Sequence, residues 1–232
     1  MKKYFIYIIF TIAAISFAIA AISLLSACST VRQTGGKERP EEIRPAAAAG
    51  KIVHPTEREA GSLRVFSDAL DLIQSSKDRK AVLPQVENLY KKIINDYYDT
   101  PLAQESYWRL ISIYIDDYSP PAYEEAESLY QDFLNKYPGS PLRGFIAETL
   151  GKSYYKSAQW DKLLKVCTPA FKEYTEEGKR PKPSLMFMYA EANFNMGSVA
   201  EAERGYEIFL EVFPRAGNSI KAKTRLEEIR RP

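Results

Sequence analysis

Ala126-Glu127-Ser128-Leu129-Tyr130, followed by Phe133-Leu134 and Tyr137-Pro138, recurs 76 positions later as Ala202-Glu203-Arg204-Gly205-Tyr206, Phe209-Leu210 and Phe213-Pro214. The same spacing of bulky residues begins 40 positions earlier with Val86, Tyr90, Ile93-Ile94 and Tyr97. A weaker copy lies between them as Leu163, Cys167, Ala170-Phe171 and Tyr174, so successive copies stand 40, 37 and 39 positions apart. Intervals of three, four and seven put such residues on one face of a helix. A second stretch repeats ahead of each copy. Tyr107, Leu110-Ile111 and Tyr114 return one unit on as Ala147, Leu150-Gly151 and Tyr154, and after a further unit as Met186, Tyr189-Ala190 and Asn193. The unit is therefore two helices, closed in the clearest case by Pro138-Gly139-Ser140-Pro141, where proline and glycine end the second helix.

The spacing predicts an all-α domain over residues 57–232 with about four helix pairs. A single pair cannot bury its own apolar face, so neighbouring pairs must stack. Gly151 and Ala190 are expected to let helices approach closely. Ser219–Arg231, with Ile220, Leu226 and Ile229 and cations along its length, reads as a helix capping the open end. These residues resemble the tetratricopeptide repeat (TPR) from about Glu57 to Arg231. Leu150, Gly151, Tyr154, Leu163 and Ala170 match its pattern in one repeat, and Ala202, Tyr206 and Pro214 in the last. The period exceeds the family's 34, Cys167 replaces an aromatic, and Ile111 replaces a small residue. The long period is similar to that of envelope TPR lipoproteins of the BamD and CpoB kinds. The resemblance implies a TPR-like α-solenoid.

The start of the chain is of another kind. Met1–Ala27 has two lysines, Lys2 and Lys3, before an apolar run that extends from Tyr4 to Leu25, long enough to cross a bilayer. Leu25-Ser26-Ala27-Cys28 resembles the bacterial lipoprotein box, which implies cleavage before Cys28 and acylation at it. An uncleaved anchor helix is the alternative reading. Ser29 after the cysteine resembles the outer-membrane sorting pattern. Residues 28–56 lack apolar periodicity and carry Gly35-Gly36, Pro40, Pro45 and Pro55, the composition of a flexible tether spanning roughly 30 Å. His54 falls within it as a solvated linker residue.

Composition removes several functions. Net charge is +2 from 32 basic and 30 acidic residues, and disappears without Met1–Ala27, which argues against a nucleic-acid binder. One His, in the tether, leaves nothing for a Ser-His or HExxH arrangement. Gly151-Lys152-Ser153 lacks the glycine that a phosphate loop needs at position 146, which is Ile. Cys167 reads as a core thiol. The pairs Asp116-Asp117, Glu124-Glu125, Glu176-Glu177 and Glu227-Glu228 read as solvated faces, because adjacent helical residues diverge. Neither metal nor other cofactor is expected. A glycan hydrolase would need paired acids converging in one pocket, and nothing marks such a pair.

In TPR domains, first-helix residues off the packing face line the concave surface. Counted from Gly151, those positions hold Phe145, Glu148, Lys152, Tyr155 and Lys156. One unit earlier they hold Glu105, Trp108, Ser112 and Asp116, and one unit later Phe187, Glu191, Phe194 and Asn195. Aromatic anchors among charges are what a protein-binding groove needs. The loop from Thr175 to Pro183, with Lys179, Arg180 and Lys182, is a second candidate contact. The expected function is a non-enzymatic scaffold for envelope proteins or peptides, with no nucleic acid or small-molecule substrate. It is lipid-anchored, outer-membrane and periplasm-facing, and the resemblance points to outer-membrane protein assembly. Division, pilus and wall-enzyme adaptors are the alternatives.

Overall fold

The computed structural model describes residues 56–231. The leader, Cys28, His54 and the tether as far as Pro55 lie outside them. The described residues form nine helices and no strand: α1 (Glu57–Ser75), α2 (Arg79–Asp96), α3 (Pro101–Asp116), α4 (Tyr123–Lys136), α5 (Arg143–Lys156), α6 (Trp160–Glu177), α7 (Pro183–Asn195), α8 (Val199–Val212) and α9 (Ser219–Arg230). The all-α reading holds. Among the described residues no helix is long and apolar enough to cross a membrane.

Local chemistry sets the helix starts. Thr56 accepts from the Glu59 amide at 3.1 Å while the Glu59 carboxylate accepts from the Thr56 amide at 2.7 Å, a reciprocal box that opens α1. Pro101 and Pro183 open α3 and α7 at positions where the missing amide hydrogen costs nothing. The turns that follow α5 and α7 share one geometry. Ala158 and Gly197 both take left-handed backbone, at φ 54° and 77°. The next amides, of Gln159 and Ser198, donate back to Tyr154 and Asn193 at 2.9 Å. Ala158 accepts a strain that Gly197 avoids.

The repeating residues are the core. Val86, Tyr90, Ala126, Tyr130, Leu163, Cys167, Ala202 and Tyr206 are buried along the second helices, and Tyr107, Leu110, Leu150, Gly151, Tyr154, Met186 and Ala190 along the first. Each large apolar side chain so buried contributes about 1.5–3 kcal/mol. Helices pack within pairs, and α1, α3, α5 and α7 also touch in succession. Cys167 is fully buried and burial pushes its thiol up, so it stays neutral and acts by packing.

One polar clasp repeats with the fold. The Tyr114 hydroxyl on α3 donates to Glu87 on α2 at 2.8 Å, and one unit later Tyr154 on α5 donates to Glu127 on α4 at 2.7 Å. Both pairs are 27 residues apart. In the third unit the positions hold Leu164 and Asn193, and the Asn193 amide turns back to the Tyr189 carbonyl. The same 27-residue interval returns where Arg230 on α9 donates to Glu203 on α8 at 2.7 Å. So α9 stands where the first helix of a further pair would be. Its exposed side offers Lys223, Glu227 and Arg230 in place of apolar residues.

The apolar side expected for α9 needs correcting. Ala222 and Leu226 are buried and Ile229 packs on the core, but Ile220 is 81% exposed. A helix advances about 100° per residue, so Ile220 lies about 120° around from Leu226.

Candidate partner-binding surface

Two clusters form on the first helices. At the first, Trp108 on α3 faces Phe145 on α5 with ring centroids 6.0 Å apart. The indole N–H donates to the Thr149 hydroxyl at 3.2 Å, which fixes the ring across the gap between helices. Ser112 donates to the Trp108 carbonyl at 2.9 Å, and Arg109 lies 5.6 Å over the indole while pairing with Glu105 at 2.8 Å. Phe145 is 44% exposed. The Lys182 ammonium, from the loop before α7, sits 3.3 Å above its ring and pairs with Glu148 at 3.0 Å; Lys152 pairs with the same carboxylate at 2.6 Å. Burial opposes the Glu148 charge, but bonds from Lys152, Lys182 and Ser184 outweigh it and hold the carboxyl below its usual value. Lys182 thus joins the two candidate contacts read from the sequence. Arg180 turns away instead, to 5.1 Å over Phe213, and Lys179 pairs with Glu177.

At the second cluster the open-groove expectation fails for two residues. Phe187 is 3% exposed and Glu191 1%, because α9 lies over them. Glu191 accepts from the Tyr155 hydroxyl, the Tyr206 hydroxyl and the Lys221 ammonium, each at 2.7 Å, and Arg225 lies 3.5 Å away. Lys221 is 5.5 Å over Phe187, and Arg225 is 4.3 Å over Phe194. Burial disfavours the Glu191 charge, yet the bonds from Lys221, Tyr206 and Tyr155 prevail and keep its carboxyl below the usual range. Four elements, α5, α7, α8 and α9, meet at one carboxylate.

Of the remaining candidates, Asp116, Lys156 and Asn195 are exposed, and Tyr155 is half-buried with Trp160 edge-on at 5.7 Å. The sequence reading missed Thr149, Tyr206, Lys221 and Arg225. The last two carried a signal, since cations four apart share one helix face. Among the described residues no three His, Cys, Asp or Glu side chains are placed to hold a metal ion. The Trp108–Phe145–Lys182 cluster is aromatic at its centre and charged around it. No protein-family model, curated protein or solved structure matches the chain.

Proposed function

We propose that the chain is a TPR-like α-solenoid lipoprotein, anchored through Cys28 to a bacterial outer membrane and working on its periplasmic side as a non-enzymatic protein–protein scaffold in outer-membrane protein assembly. The succession of helix pairs and the 27-residue clasp support the solenoid reading. The lipoprotein box supports the anchor. The observation that carries the scaffold role is the exposed Phe145 ring, held between Trp108 and the Lys182 ammonium. Rigid aromatic anchors with a nearby cation are the usual energetic centre of a protein interface.

A photocrosslinking side chain at position 145, introduced in cells, is expected to capture an envelope protein. The double substitution Trp108→Ala with Phe145→Ala is expected to reduce that protein's co-purification about tenfold or more, in line with the loss of an anchor residue, with helical circular dichroism unchanged. Undiminished capture would place the contact elsewhere. Phe187 is unsuited to such a test, because truncating a buried Phe costs roughly 3–5 kcal/mol of stability by itself.

The anchor has its own test. Cys28→Ala is expected to abolish metabolic lipid labelling and to leave a larger, unprocessed chain. Inhibiting the lipoprotein signal peptidase should enlarge the wild-type chain in the same way. Unchanged size and labelling in Cys28→Ala would refute the lipoprotein reading.

A further inference from the structure

The hollow beneath α9 has the composition of a receptor for cations. Its floor is the buried Glu191 carboxylate, and Tyr155, Phe187, Phe194 and Tyr206 surround it. Ring faces attract cations, the more so when water is excluded. The two side chains that enter are Lys221 and Arg225, four positions apart on one side of α9. The site therefore displays, already filled, the kind of segment it takes.

The occupant is weakly built for a permanent element. α9 has 12 residues, below the length at which a helix is stable alone, so it folds only while docked. No side-chain bond caps its start at Asn218. Apart from Glu191 and the rings, it is held by Ala222, Leu226 and part of Ile229, by the Ser219 hydroxyl donating to the Phe213 carbonyl, and by Arg230 pairing with Glu203 and Glu207 at the surface. The fit also has a fault: Arg225 Nε is buried without a hydrogen-bond partner, and a segment placing its donors better would gain what α9 forgoes. Elements with few buried apolar contacts are the first to open.

We infer that the hollow formed by Tyr155, Phe187, Glu191, Phe194 and Tyr206 is a docking site for a basic helical segment, occupied in cis by α9 and yielded to a partner segment that carries two cations four positions apart. Opening α9 lays bare apolar rings and a carboxylate together. An acidic or purely apolar segment leaves Glu191 buried without a counter-charge, so the site discriminates by charge. The surface around Phe145 is separate and plays no part in this exchange.

The test uses the detergent-solubilised full chain and a fluorescein-labelled synthetic peptide with the sequence of Ser219–Arg231. A second peptide carries Glu at the places of Lys221 and Arg225. In the chain K221E/R225E, repulsion from Glu191 detaches α9. By fluorescence polarisation this variant is expected to bind the basic peptide at least tenfold more tightly than the wild type does. It is expected to lose that binding on further Glu191→Gln substitution and to ignore the reversed peptide. Equal binding by wild type and variant, equal binding of the two peptides, or no binding by the variant overturns the inference. Hydrogen exchange on the wild type tests it without any substitution. The α9 amides must exchange faster than those of α7 and α8; if all three exchange only together, α9 does not leave and the site is closed to partners.

Discussion

Glu191→Ala is expected to lower the stability of the helical domain by roughly 3 kcal/mol, the scale for removing one partner of a buried ion pair, read as a drop in the urea midpoint. The carboxylate is 1% exposed, and its loss leaves Lys221 and Arg225 without their shared counter-charge. It also leaves the Tyr155 and Tyr206 hydroxyls without their acceptor. Glu148→Ala provides the contrast. Glu148 also holds two lysines, but its own side chain is 19% exposed and accepts from no buried tyrosine, so water replaces what is lost and the cost stays below about 1 kcal/mol. A midpoint for Glu191→Ala no lower than for Glu148→Ala would mean that the α9 contact contributes nothing to the folded state.

Acid should imitate that substitution. The folded-state value of Glu191 is depressed, so its stabilisation is fully present above the ordinary glutamate value of 4.5 and is lost as pH falls through the folded value. Glu87 and Glu127 are depressed as well: burial opposes their charge, and lysine and tyrosine hydrogen bonds outweigh it. Three carboxylates that each tie neighbouring helices together thus lose their charge in the same window. The urea midpoint should fall from about pH 4.5 downward. In Glu191→Gln that fall should be shallower.

The sequence made the helix pairs legible because the apolar residues recur both within a helix and between units, and both periods are set by packing. Cys167 was readable as core for the same reason, since it replaces a tyrosine at a position that Tyr90, Tyr130 and Tyr206 show to be internal. The groove was less legible. Counting offsets from Gly151 treats every first helix as open on one side, which suits Trp108 and Phe145. At the last pair α9 lies on that side, so Phe187 and Glu191 are interior although their offsets are the same. Helical periodicity reports which residues share a face. It does not report what covers the face, and that depends on a helix some 30 residues further along the chain. The clasp escaped notice because its members, Glu87, Tyr114, Glu127, Tyr154, Glu203 and Arg230, mix residue types that no hydrophobic pattern weighs.

Gly205→Val is expected to cost roughly 3 kcal/mol, the upper range for overpacking a tight core contact, and to lower the urea midpoint about as far as Glu191→Ala. A Cβ at 205 would stand 3.0 Å from the Ala190 Cβ and 3.2 Å from its Cα. Neither atom can swivel aside, so α7 and α8 must separate, and the isopropyl group enlarges the clash. Gly205→Ala meets the same backbone with a smaller group and regains about 1 kcal/mol of helix propensity, which leaves a net loss of about 1 kcal/mol. Gly151, the close-contact glycine of the sequence pattern, should behave more gently. Its added Cβ meets the Met188 methyl at 2.9 Å, the far end of a flexible side chain that can turn away. Gly151→Ala should therefore fall near neutral, the propensity gain offsetting the shift of Met188. Gly139, with nothing within 4 Å of an added Cβ, sets the baseline. The order Gly205→Val, Gly205→Ala, Gly151→Ala, Gly139→Ala, from most to least destabilised, follows from whether the opposing atom belongs to a rigid helix or to a mobile methyl. A Gly151→Ala midpoint below that of Gly205→Ala would mean that Met188 is locked in place and that the closer helix approach of the two lies between α5 and α7.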